Sequence, residues 1–150
     1  MNDHETRFKA ILSVYLVLVN DKDEALLLKR QNTGFADGQY GLPAGHIDGN
    51  ETVIDGMRRE AKEEAGIDIE SENLDLKYVL HRNCGDHERV DFFFWCNKWN
   101  GEVSNVEPHK CSDLAWFPLS DLPENVIDYY RQMFDDVRNG KMYGEFGWKL

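Results

Sequence analysis

The sequence predicts one α/β domain in which helices cover both faces of a sheet. Three observations carry this reading. Apolar, β-branched runs separated by polar turns lie on both sides of a helical segment. A 3.6-residue apolar stripe occupies the middle of the chain and a second lies near its end. The 150 residues contain no repeat and no Pro/Gly/Ser-rich linker long enough to divide them, and a chain of this size buries one sizeable core.

Phe8 to Asn20 is rich in Val, Ile, Leu and Tyr, Asp21-Lys22-Asp23 makes a polar turn, and Ala25 to Arg30 resumes the apolar run. Two strands joined as a hairpin are expected there. Gln31 to Gly41 carries three glycines and little periodicity, so it reads as a loop. In the next segment, Val53 to Ala65, the residues Ile54, Met57, Ala61 and Ala65 share one helical stripe. Thr52 suits the N-cap, with Asp55 three residues on, and Gly66 suits the left-handed position after the last turn. Leu74 to Arg82 and Val90 to Trp99 read as a second hairpin around a polar Asn83 to Glu88 turn. Of the aromatics Phe92 to Trp95, strand alternation sends two inward. Leu114 to Phe117 is a further short strand, and Val126, Tyr129, Tyr130, Met133 and Val137 mark a helix that Gly140 stops. The ending Tyr143 to Trp148, rich in aromatics and glycine, is poor composition for a disordered tail and is expected to pack, over the core, a pocket or a dimer contact.

Charge narrows the ligands. With 17 Lys+Arg against 28 Asp+Glu, the net charge of −11 excludes long DNA or RNA as the main partner. A small phosphorylated ligand is compatible with such a surface when a cation mediates its approach. The longest apolar run, Ile11 to Val19, is nine residues broken by Ser13, against the roughly 20 of a membrane-spanning helix, so no membrane partner is expected. The acidic, polar beginning lacks the features of a secretory signal, which points to the cytoplasm. Cys84, Cys96 and Cys111 are odd in number and lack CxxC spacing; they read as reduced thiols.

The middle helix concentrates the chemistry. Glu60, Glu63 and Glu64 stand at i, i+3 and i+4, so three carboxylates project from one sector and repel one another. Most acidic helix faces are simply solvated. Here no His or Cys shares the helix, leaving an all-oxygen set suited to Mg²⁺ or Mn²⁺, and Arg59 can hold one carboxylate in a bidentate contact. The surrounding spacing raises the specificity of the signal. Gly45, five residues, Glu51, seven residues, then Arg59, Glu60, Ala61, Lys62, Glu63, Glu64, Ala65, Gly66 and Ile67 fill every position of G-x5-E-x7-R-E-U-x-E-E-x-G-U, with U apolar. Seven prescribed residues coincide by chance in such a chain with a probability below about 10⁻⁶, or about tenfold more for so acidic a composition.

This pattern resembles the Nudix box, and the chain is identified by it as a member of the Nudix hydrolase family. Trp116 to Pro123 also looks like the family's closing strand and turn, so the resemblance spans essentially the whole domain. It implies an α/β/α sandwich with a mixed sheet, and hydrolysis of a nucleoside diphosphate linked to another group, X, with Mg²⁺ or Mn²⁺. By the same resemblance Glu60, Glu63 and Glu64 are metal ligands with the carbonyl of Gly45, while Arg59 orients a carboxylate, with Glu51 beside it. A further acidic residue outside the box, as ligand or general base, is expected at Glu107, with Asp113 or Glu88 as alternatives. Ala44 departs from the glycine often found there, which alters the approach to the metal and leaves Gly45 in place.

A diphosphate resists hydroxide through its own charge, so the site must neutralise oxygens, activate water and align it with the leaving oxygen. Arg30, Arg82 and Lys110 are available to outer phosphates, and Phe35, Tyr40 or Trp116 to stack a base. The positions where the family places a proline for ADP-ribose or a tyrosine for dinucleoside polyphosphates hold Arg82 and Cys84. The expected substrate is therefore a nucleoside triphosphate, split to monophosphate and pyrophosphate. A nucleotide sugar or another nucleoside diphosphate conjugate is the alternative. A non-catalytic nucleotide-binding module comes third, since such modules typically carry a damaged box. Monomer and homodimer are both open.

Overall fold

The computed structural model describes residues 3–149. Eight strands and two substantial helices form two sheets and two cores. The strands are β1 (Ile11–Leu18), β2 (Glu24–Arg30), β3 (Tyr40–Gly41), β4 (Ala44–His46), β5 (Asp75–Asn83), β6 (Glu88–Cys96), β7 (Cys111–Pro118) and β8 (Tyr143–Phe146). Short α1 (Asp3–Thr6) precedes them; α2 (Val53–Ala65) follows β4, and α3 (Asp128–Arg138) precedes β8. One sheet has the order β4-β1-β6-β5-β8 and the other β3-β2-β7. The larger is mixed: β1 runs parallel to β6 and β5 to β8, while β4 and the β5/β6 pair are antiparallel.

The first expected hairpin is corrected. Its turn forms, with Asn20 Oδ1 accepting from the amides of Lys22 and Glu24 at 3.0 Å. Beyond a single Val19–Ala25 bridge, however, β1 and β2 diverge into different sheets. The reason lies in β1, where every residue from Ser13 to Leu18 is buried. A strand buried on both faces needs a sheet neighbour along each edge, and β4 and β6 take those places. The second hairpin forms as expected from β5 and β6, with an irregularity between Leu76 and Tyr78.

Alternate residues of β1 feed opposite cores. Val14, Leu16 and Leu18 pack with Met57, Ala61 and Ala65 of α2. Tyr15 and Val17 pack with Tyr129, Tyr130, Met133 and Phe134 of α3. This is the α/β/α sandwich. It also revises the count for Phe92 to Trp95: all four pack, Phe92 and Phe94 toward α2 and Phe93 and Trp95 toward α3, because neither face of the sheet is left to water.

Both ends of α2 form as its sequence requires. Thr52 Oγ1 accepts from the Asp55 amide at 3.0 Å, and Gly66, at φ +73°, donates to the Lys62 carbonyl. The final segment becomes β8, an edge strand beside β5, with Phe146 against Tyr129 and Trp148 Nε1 donating to the His81 carbonyl. Among the described residues no helix is long and apolar enough to cross a membrane, and the three cysteines are unbridged.

Candidate active site

Strand β4 lies along β1, with Gly45 opposite Val14, and packs against α2. This contact sets the geometry of the site. A Cβ on Gly45 would overlap the Glu60 carboxylate, so only glycine lets Glu60 lie flat against the strand. One turn on, Glu64 accepts the Ala44 amide at 2.6 Å. Burial pushes the Glu64 carboxyl up to about 8, and the charges of Glu60 and Glu107 add to that rise against the Ala44 amide. Burial likewise raises Glu60, with Arg59 opposing it. Glu63 is the exposed member of the three.

Arg59 is the organiser. Its Nε and Nη2 fork onto Glu51 at 3.1 and 2.8 Å, and Nη2 also donates to the His46 carbonyl. Nη1 reaches Glu60 at 2.7 Å and Glu63 at 3.3 Å. The Arg59 hydrogen bonds, helped by the Asp48 amide, hold Glu51 down at about 2. One guanidinium thus hydrogen-bonds three carboxylates and has a fourth, Asp48, at 3.5 Å, while Glu64 stands apart on the Ala44 amide. Among the described residues no three acidic, His or Cys side chains are gathered tightly enough to close round an ion, and Arg59 engages Glu60 and Glu63. The donor set nevertheless fits a hard divalent cation. It is all oxygen, and its half-buried, mutually repelling Glu60 and Glu64 are the groups a cation would relieve.

Two cavities flank β4 and share Arg30 and Ala44. The first, about 400 Å³, is lined by Glu64, Glu107, Lys110, Asn32 and Asn105 among others. Glu107 therefore stands beside the cluster, 3.5 Å from Lys110 Nζ. Its alternatives are engaged elsewhere: Asp113 accepts the Tyr40 hydroxyl at 2.6 Å, and Glu88 pairs with His81 at 2.7 Å. The second cavity, about 510 Å³, holds Arg82 and Phe35 and reaches Gly45. Tyr40 packs edge-on against Phe117 and Trp116 stacks on Trp99; neither lines the two cavities. So Arg30, Arg82, Lys110 and Phe35 are brought to the groove, and Tyr40 and Trp116 are not.

Sequence reasoning missed the floor of the second cavity. Asp91, fully buried, accepts the Tyr15 hydroxyl at 2.9 Å and Arg82 Nε at 2.9 Å, and Arg82 lies over the Tyr129 ring. Burial pushes the Asp91 carboxyl upward, opposed by Arg82 and Tyr15. The available signal was a lone carboxylate between Val90 and Phe92 in an otherwise apolar strand, a residue that needs a buried partner.

A mixed-sheet sandwich whose capped helix sets a glutamate triad against a glycine of an edge strand defines the Nudix class of domain. The NUDIX domain family profile matches residues 9–137, and the chain belongs to that family. It is 30% identical over 112 residues to human "8-oxo-dGDP phosphatase NUDT18", covering 73% of this chain and 33% of that protein. To the "NAD-capped RNA hydrolase NudC" of Stutzerimonas stutzeri it is 30% identical over 131 residues, covering 84% and 45%. The chain thus spans a third to under half the length of these relatives. Among solved structures, the MutT NUDIX hydrolase from Burkholderia pseudomallei superposes with a TM-score of 0.76 at 29% identity, covering 85% of this chain and 97% of that one.

Proposed function

We propose that the chain is a divalent-metal-dependent hydrolase of nucleoside diphosphates linked to X, and that its substrates are nucleoside triphosphates. Water adds to one phosphorus of the anhydride, the bridging P–O bond breaks, and a nucleoside monophosphate and pyrophosphate leave. The observation that carries the reading is the gathering of the triad beside β4, Glu60 against Gly45 and shared with Glu63 by Arg59, and Glu64 on the Ala44 amide in the wall of a cleft. Glu60, Glu63, Glu64 and the Gly45 carbonyl would hold Mg²⁺ or Mn²⁺. When bound, the cation supplies charge neutralisation of the anhydride oxygens and a more acidic water.

The chain's own groups supply the remainder. Arg59 keeps Glu60 and Glu63 apart and on station, with Glu51 fixing the far side of its guanidinium. Glu107, in the same cleft as Glu64, is placed to take a proton from water. Arg30 and Lys110 line that cleft as cations for phosphate oxygens. The relatives' printed substrates, 8-oxo-dGDP and NAD-capped RNA, have a nucleoside diphosphate in common, which supports the broader class and keeps conjugates as the second reading.

The test is purified protein with and without Mg²⁺ against nucleoside triphosphates, nucleotide sugars and ADP-ribose, with phosphate and pyrophosphate assayed separately. Metal-dependent pyrophosphate release from triphosphates supports the reading. Monophosphate with sugar phosphate moves it to conjugates, and binding without turnover of any of them moves it to a nucleotide-binding module.

A further inference from the structure

The second cavity has an unusual charge. The chain carries 28 acidic residues, yet the lining of this 510 Å³ space contains Arg30, Arg82, Arg89, His46 and His87 and no carboxylate. Three guanidiniums converge there from β2, β5 and β6. Each is fixed by contacts that leave donors free. Arg82 spends Nε and Nη2 on Asp91 and Tyr15 with its plane over Tyr129, while Nη1 donates to no protein group among the described residues. No buried side-chain nitrogen or oxygen among those residues lacks a partner, so Nη1 is open to the cavity's solvent. Arg89 donates to Ser13 Oγ at 3.1 Å and to His87 Nε2 at 3.0 Å, and Arg30 to the Phe35 carbonyl at 2.8 Å, and none of these acceptors is a carboxylate.

Asp91 balances one of the three guanidiniums from beneath, and among the described residues neither Arg30 nor Arg89 has a carboxylate within ion-pair distance. The space therefore presents a surplus of fixed cations and a lining dominated by hydrogen-bond donors. Such an arrangement stabilises an anion whose oxygens only accept. It also abuts Gly45 and His46, so a group held there remains within reach of the Glu60 side of the site.

We propose that this cavity is a phosphate subsite in which Arg30, Arg82 and Arg89 receive the anionic end of the substrate, on the other side of β4 from Glu107 and Lys110. The residue that defines it is Arg89, with Asp91 and Tyr15 positioning Arg82. This deepens the proposed function and rests on it: the favoured substrates are those with a phosphate beyond the hydrolysed anhydride bond, and a neutral sugar in that place is disfavoured.

Metal-free protein, kept in EDTA at low salt, is titrated calorimetrically with pyrophosphate and with uncharged nucleosides. Wild type binds pyrophosphate, and more weakly as salt is raised. Arg89→Gln weakens that binding by about tenfold or more, while Arg89→Lys restores part of it. Arg30→Gln, altered at the cavity mouth away from the buried Asp91, gives the same direction if the first variant unfolds; thermal melts check both. With Mg²⁺ present, Arg89→Gln raises KM for triphosphates more than it lowers kcat. An unchanged pyrophosphate affinity in both variants overturns the proposal, as does loss of nucleoside binding with pyrophosphate binding retained, which would make the cavity a base pocket. Because the titration needs neither metal nor turnover, a failure of the hydrolase reading leaves it interpretable.

Discussion

The two cavities beside β4 share Arg30 and Ala44 and differ in almost everything else. One is bounded by Glu64 and Glu107, and the charge of Glu107 adds to the burial that raises Glu64. The other is bounded by three arginines with no acid on its wall and one, Asp91, beneath its floor. In the proposed reading the acidic side would take a mobile cation, whereas the basic side carries its cations on the chain. Under the two proposals a protein at −11 would meet a polyphosphate twice, once through metal and once through guanidinium, and the two encounters would respond differently to chelator, pH and salt.

The largest expected effect separates the two sides by activity. Glu63→Gln and Glu60→Gln should each lower kcat by about two orders of magnitude or more, with the thermal midpoint little changed, since Glu63 is exposed. Full activity in Glu63→Gln, measured by pyrophosphate release, would remove the metal assignment. Next comes the floor of the basic side. Asp91→Ala leaves Arg82 buried without its carboxylate and should cost about 3 to 5 kcal/mol in urea unfolding. A loss under about 1 kcal/mol would show that Arg82 reaches water once released.

Titration sharpens the contrast without mutation. Glu64, at about 8 in the folded chain against an ordinary 4.5, keeps a proton that the unfolded chain has already lost. Its contribution to stability therefore falls as pH rises from about 4.5 to 8 in EDTA and levels off above that. Glu51 runs the other way: held at about 2, it adds stability present above 4.5 that is lost as pH falls toward 2. Mg²⁺ affinity should climb with pH up to about 8, because the proton on Glu64 competes with the cation. Urea midpoints at pH 3, 4, 5, 7 and 8 without Mg²⁺, and at pH 5, 7 and 8 with it, check both signs; a metal affinity flat from pH 5 to 8 would rule out Glu64 as the competing site. The smallest effect is at the helix start, where Thr52→Ala removes the cap and should cost about 1 kcal/mol while leaving metal-free pyrophosphate binding unchanged.

Much of this molecule was legible before any coordinates. The stripe Ile54, Met57, Ala61, Ala65, the Thr52 cap and the Gly66 stop are local signals, and α2 begins and ends where they say. So is the triad, because i, i+3, i+4 spacing on a helix is itself geometry. Gly45 entered through spacing alone; its contact with Glu60 gives the physical cause. The hairpin of β1 and β2 misled because a turn reports on four residues, whereas strand partnership is decided by who else competes for the edge. Tyr40 and Trp116 offered aromatic faces for a base, but their partners, Asp113 with Phe117 for the first and Trp99 for the second, draw them away from the groove.

By itself, then, the sequence determined α2 with both its ends and the acidic triad with its arginine, all encoded within about two dozen neighbouring residues, and the stripe of α3 further along. Tertiary structure alone decided which strands share a sheet, which face each of Phe92 to Trp95 takes, and that Arg30, Arg82 and Arg89 meet across three strands over Asp91 and Tyr15. The physical reason is range. Capping and helical spacing act over a few residues of chain, while the floor of the basic cavity depends on Ser13 and Tyr15 meeting Arg82, Arg89 and Asp91 about 67 to 76 residues further along, a meeting only the packed sheet enforces.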